Sequence, residues 1–196
     1  MSYNELELDV LKEVMNIGGG NAATSISSLV SRPIDMNVPE VKILSYQELY
    51  EQIIHEDEVV FATAIQILGE IEGVFLFVLN EESADKMTAF MLGTTEYNDE
   101  IKQSAIQELT NIIANSFLGA IGQMINQQLS TSVPMLQADY FGAIISSLYM
   151  ALEQYDDQVM IIRNEFFYND KERLDASLFF IPKDGGIEKI FEALGI

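Results

Sequence analysis

Two groups of polar residues in this 196-residue chain share one spacing. Asp9, Glu13 and Asn16 stand at i, i+4 and i+7, and Ser104, Glu108 and Asn111 repeat that spacing 95 residues later. On a helix, each group spans about 60° of arc, so a carboxylate and a carboxamide share one face. A carboxylate pairs with a cation or accepts a hydrogen bond. A carboxamide accepts and donates hydrogen bonds while staying neutral. One Glu-x-x-Asn on a helix is usually just a solvated face. Asn, however, is a poor helix-interior residue, because its side chain competes for backbone hydrogen bonds. Its presence twice, each time three residues after Glu and 23 before a proline (Pro39 and Pro134), is not accounted for by propensity.

The elements that must carry these residues are legible from hydrophobic periodicity. Leu8, Leu11, Val14, Met15, Ala22, Ile26 and Leu29 recur at helical spacing and predict a long helix from Asn4 to Ser31. Ile106, Leu109, Ile113, Phe117, Ile121 and Met124 predict a second from Asn98 to Leu129. In each helix the apolar stripe lies opposite the Glu and Asn, which should therefore be exposed. Strand-like runs follow the first helix around Pro39 and at Val59–Leu68 and Gly73–Leu79, with Gly69–Glu72 between the last two as a hairpin loop. Residues 45–58 read as a short helix and a loop. Glu81–Leu92 reads as a helix capped by Gly93. After the second long helix, residues 140–152, 159–167 and 178–181 read as strands, and Ile187–Leu194 as a last helix before Gly195.

The halves also match at their ends. Val38-Pro39 and Val133-Pro134 share the 95-residue offset, and Phe75–Val78 leading to Leu92-Gly93 parallels Leu178–Ile181 leading to Leu194-Gly195. The expectation is an α+β fold: one internally duplicated domain over residues 1–196, made of fused repeats at about 1–95 and 96–196. It should have pseudo-two-fold symmetry, with two long helices packed on an antiparallel β-sheet.

Composition excludes several functions. Ten Lys and Arg against 31 Asp and Glu give a net charge of −21, which opposes nucleic-acid binding and docking on anionic lipid. There is no cysteine, so thiol catalysis, disulfides and thiolate metal sites are ruled out. The acidic start has no apolar signal-like core, and no run is long and apolar enough to span a bilayer, so the expected location is the cytoplasm. Gly18-Gly19-Gly20 lacks the Lys-Ser/Thr of a nucleotide loop and follows no strand, so close helix packing is the better explanation. His55, the only histidine, has no second ligand at helical spacing and reads as a surface-loop residue, not a metal ligand.

The doubled pattern resembles the signature of the CheC/CheX/FliY phosphatases: Asp or Ser, three residues, Glu, two residues, Asn, then 22 residues and Pro. The segment from Asn16 to Ala23 is similar to that family's first helix, and two motif copies in one chain resemble its CheC branch. The resemblance implies an enzyme that hydrolyses the aspartyl phosphate of the chemotaxis response regulator CheY. It implies that Asn16 and Asn111 orient the attacking water, while Glu13 and Glu108 anchor the regulator through its lysine. Asp9 and Ser104 would be supporting positions, and Pro39 and Pro134 would shape the strand beside each helix. No cofactor of its own is implied, the Mg²⁺ being carried by the bound regulator. Phosphorylated CheY is the implied partner, CheD a second one, and a monomer the implied state. The competing reading is a non-catalytic partner-binding protein that sequesters phosphorylated CheY or CheD.

Overall fold

The computed structural model describes residues 3–36, 40–152, 158–168 and 172–195. The expected Pro39 falls outside these residues. The first long helix, α1 (Glu5–Val30), begins with a capping box. The Asn4 side chain accepts from the Glu7 N–H at 3.0 Å, and the Glu7 carboxylate accepts from the Asn4 N–H at 2.7 Å. It ends where Ser31 turns left-handed at φ 53°. Strands β1 (Ile34–Met36) and β2 (Glu40–Ser45), helix α2 (Tyr46–Gln52), strands β3 (Val59–Leu68) and β4 (Gly73–Leu79) and helix α3 (Glu81–Leu92) complete the first half. The second half comprises α4 (Asp99–Ile125), β5 (Ser130–Thr131), β6 (Met135–Tyr140), α5 (Phe141–Ala151), β7 (Gln158–Tyr168), β8 (Glu172–Pro182) and α6 (Gly186–Leu194).

Each half thus runs helix, two strands, helix, two strands, helix. The eight strands form one antiparallel sheet in the order β1-β7-β8-β4-β3-β5, with β2 also on β7 and β6 also on β3. Exchanging equivalent strands of the two halves reverses this order onto itself, which is the signature of a pseudo-two-fold axis. The axis passes through the central β4–β8 pairing. There Leu76 lies opposite Phe179, its own counterpart in the match of residues 75–78 with 178–181. The outer strands of each half pair with the inner strand of the other, so neither half has a complete sheet alone.

Both faces of the sheet are covered. Phe75 and Phe77 of β4 and Leu178 and Phe180 of β8 point into a core roofed by α1, α3, α4 and α6. Leu76, Val78, Phe179 and Ile181 point the opposite way, onto Leu49 of α2 and Phe141, Ile144, Ile145 and Tyr149 of α5. This is why every residue of β4 is buried and the strand is apolar throughout instead of alternating.

Residues 140–152 correct the strand expectation, because 141–151 form α5. Phe141, Ile144, Ile145 and Tyr149 are its buried residues, at i, i+3, i+4 and i+8, the period of a helix lying on a surface. The second long helix also stops short of residue 129, at Ile125. Asn126 there adopts the left-handed conformation at φ 52°, which Asn tolerates better than most residues.

Candidate active site

The two long helices lie side by side and antiparallel. Leu29, late in α1, lines a groove with Ile101, Ser104 and Glu108, early in α4. Ile17 lines a second groove with Gly119 and Met124, late in α4. Between them the Ser116 hydroxyl donates to the Ser25 hydroxyl at 2.7 Å. Gly18 faces Phe117 so closely that a Cβ there would sit 3.0 Å from three ring atoms. The three glycines therefore belong to a continuous helix, not to a phosphate loop, and Gly18 permits the close helix approach.

This packing sets where the polar faces go. Leu11, Val14 and Met15 are buried beneath α1, leaving Asp9 and Glu13 exposed and Asn16 half-buried. Ala105, Ile106 and Leu109 are buried beneath α4, leaving Ser104 and Glu108 exposed and Asn111 half-buried. Ser25 and Ser116 are level with each other, so Asn111 is level with about residue 30 of α1. At 1.5 Å per residue, Asn16 and Asn111 lie roughly 20 Å apart along the helix pair. The two polar faces are separate surfaces.

The carboxylates of Glu13 and Glu108 and the carboxamide of Asn16 have no hydrogen-bond or ion-pair partner among the described residues. Asp9 has a loose contact with Lys12 at 3.5 Å on the exposed surface, an arrangement worth little in water. The Pro134 carbonyl accepts a long 3.5 Å hydrogen bond from Gln107 Nε2, which ties the start of β6 to the residue before Glu108.

His55 is exposed, and its Nδ1 accepts from the Asp57 N–H at 3.4 Å in the turn after α2. No group of three His, Asp or Glu side chains converges as a metal site among the described residues. Tyr3 pins the start of α1 to α6. Its hydroxyl donates to Glu188 at 2.9 Å, and its ring packs edge-on against Phe191. Burial, reinforced by the neighbouring Glu188 carboxylate, pushes that phenol well above its ordinary range.

Two features of these faces were not singled out from the sequence. Large apolar residues stand exposed on both, Leu6 at 65% and Ile101 at 45%, each seven residues before its Glu. The 95-residue offset relates them and is the signal that would have found them. The other is Asn115, one turn beyond Asn111. Its Nδ2 donates to the Asn111 carbonyl at 2.8 Å and to the Asn111 Oδ1 at 2.9 Å.

Comparison with known proteins covers most of the chain. Residues 6–43 match the model of the CheC-like family, and residues 61–155 match that of the chemotaxis phosphatase CheX. The first span contains Asp9, Glu13 and Asn16, and the second contains Ser104, Glu108 and Asn111. The chain is 33% identical to the CheY-P phosphatase CheC of Bacillus subtilis, over 97% of this chain and 95% of that one. It is 21% identical to the flagellar motor switch phosphatase FliY of the same organism, over 89% of this chain and 46% of that one. In fold it is similar to the crystal structure of Thermotoga maritima FliY, with a TM-score of 0.77 and 19% identity over 100% of this chain and 98% of that one. It is also similar to FliM in the Helicobacter pylori FliM–SpeE complex, with a TM-score of 0.71 and 12% identity over 99% and 97% of the two chains.

Proposed function

The chain belongs to the CheC-like family, and from that premise we propose that it is a phosphatase of the aspartyl phosphate on a CheY-type response regulator. The observation that carries this reading is the pair of outward-facing Glu/Asn faces, one on each long helix at the same spacing, with both Glu carboxylates unpartnered among the described residues. We further propose that the two faces belong to fused repeats meeting near residues 95 and 96, so that one chain holds two sites.

An aspartyl phosphate is a mixed anhydride, and its hydrolysis needs a water placed in line with the P–O bond to the carboxyl group. The water oxygen bonds to phosphorus, the bond to the aspartyl oxygen breaks, and the carboxylate leaves with that electron pair. The water's proton goes to the phosphate released. Asn16 or Asn111 holds the attacking water. A carboxamide can accept from that water while donating to a phosphoryl oxygen, and it adds no negative charge beside the phosphoryl group. Fixing the water's position is worth on the order of 10²-fold or more in rate. Glu13 and Glu108 hold the docked regulator by pairing with a cation beside its phosphorylation site. Both are exposed before docking and become drier on contact, where the pair strengthens. The phosphoryl group's Mg²⁺ comes with the regulator.

Phosphorylated CheY is followed by loss of ³²P or by tryptophan fluorescence, with this protein present at one-tenth of its concentration. Decay faster than the regulator's own, over many turnovers, is the expected result. Slower decay, or protection in proportion to added protein, would show sequestration and not hydrolysis.

A further inference from the structure

We propose that Asn115 is a positioning residue that fixes the Asn111 carboxamide and makes the second site the more preorganised of the two. This rests on the phosphatase reading above. The Asn115 Nδ2 bridges the main-chain carbonyl and the side-chain Oδ1 of Asn111, at 2.8 and 2.9 Å. One group bound at both points restrains both side-chain torsions of Asn111. It also settles which end of the planar amide faces which way. Oδ1 turns toward Asn115 and keeps one lone pair, while Nδ2 points away and has no partner among the described residues. Donation into Oδ1 further polarises the amide, so the Nδ2 hydrogens become stronger donors. Asn111 thus presents a donor outward, with an acceptor lone pair beside it, before any substrate arrives.

The first site has no such clamp. The residue 95 positions before Asn115 is Gly20, which has no side chain to donate. The next amide along the helix, Asn21, gives its Nδ2 to the Ile17 carbonyl instead. Asn16 therefore lacks this restraint, and must lose more rotamer freedom than Asn111 in each catalytic cycle. The surroundings permit the clamp to be moved, because a Cβ at Gly20 meets nothing within 4 Å.

The first test is NMR of the side-chain amides in the isolated chain. Asn111 Nδ2H₂ should have a higher order parameter than Asn16 Nδ2H₂, and Asn115→Ala should lower Asn111 to the level of Asn16. Equal order in the unsubstituted protein would overturn the proposal. The second test is steady-state dephosphorylation with one site active at a time. With Asn16→Ala present, adding Asn115→Ala should lower kcat about five-fold, since freed torsions and an amide flip each cost a small factor, and leave KM within about two-fold. Asn115→Ser, which retains a donor, should restore part of the loss. With Asn111→Ala present, Asn115→Ala should have no effect, Gly20→Asn should raise kcat, and Gly20→Ala should leave it unchanged despite stiffening the helix. An equal loss from Asn115→Ala in both backgrounds, or a change in KM alone, would show a structural role and overturn the proposal. The phosphatase reading fails differently, through undiminished turnover when Asn16 and Asn111 are both alanine.

Discussion

The close approach of α1 and α4 can be tested with two glycines that lie within one helical turn but face different surroundings. Alanine in place of glycine in a helix interior gains about 1 kcal/mol from backbone entropy alone. At Gly20 nothing opposes that gain, because the added methyl meets open space. Gly20→Ala should therefore stabilise by about 1 kcal/mol, or roughly 2–4 °C in Tm for a chain of this size. At Gly18 the same methyl would sit 3.0 Å from three ring atoms of Phe117. That ring is fully buried and packs edge-on to Phe75 at 4.7 Å, and Phe75 in turn packs against Phe180. With no room behind the ring, overpacking costs about 1–3 kcal/mol. Set against the propensity gain, Gly18→Ala should range from about neutral to about 2 kcal/mol destabilising. Urea unfolding of both variants beside the parent measures the difference, with the slope unchanged if only stability has moved. Equal stabilisation by the two substitutions would refute the close packing of α1 on Phe117, and with it the placement of the two polar faces.

Further outcomes follow from the same geometry. Lys102 is 5% exposed, with its ammonium 2.7 Å from Asp85 and 4.5 Å above the Phe61 ring; Lys102→Met keeps the packed stem and should change stability by less than about 1 kcal/mol, whereas Lys102→Ala should cost about 1–3 kcal/mol in the same unfolding assay. The Glu48 carboxylate accepts from the Ser45 backbone N–H and hydroxyl, which holds its pKa below the ordinary 4.5. A depressed folded-state pKa means that this stabilisation is present above pH 4.5 and is lost as the pH falls through the lower folded value. Ser45→Ala removes the hydroxyl bond and keeps the backbone one, so thermal melts between about pH 6 and pH 3 should fall only slightly less steeply than in the parent. Asn16→Ala and Asn111→Ala should each leave part of the dephosphorylation rate, with Asn111→Ala the more damaging. Their melting temperatures should stay level or rise slightly, because alanine is the better helix former.

Much of this arrangement was legible in the chain because local and global signals agree. The boundaries of β3, β4 and α3 match the sequence expectation, down to Gly93 at φ 69° as the C-cap, since turn residues flank clear apolar runs. Asn4 and Ser31 bracket α1 as expected, and the Glu and Asn faces emerge opposite the buried stripes. The segment at 141–151 was misread because its aromatic and β-branched residues favour strands, and a short apolar run does not by itself separate strand from helix. The internal match offered a better guide. The counterpart of Phe141 is Tyr46, the first residue of α2, which was already read as helical. The exchange of outer strands between halves was not legible, because strand pairing depends on long-range register and not on local pattern. The Asn115 clamp was hidden because one amide beside another on a helix has no distinctive sequence signal.

Decay of phosphorylated CheY in the presence of the parent protein, Asn16→Ala, Asn111→Ala and the double variant, with thermal melts on the same samples, tests the central claim most directly. The expected result is partial loss in each single variant and a double variant that melts like the parent but leaves the regulator decaying at its own intrinsic rate. A well-folded double variant that still accelerates decay like the parent would contradict the assignment of catalysis to the two Glu/Asn faces.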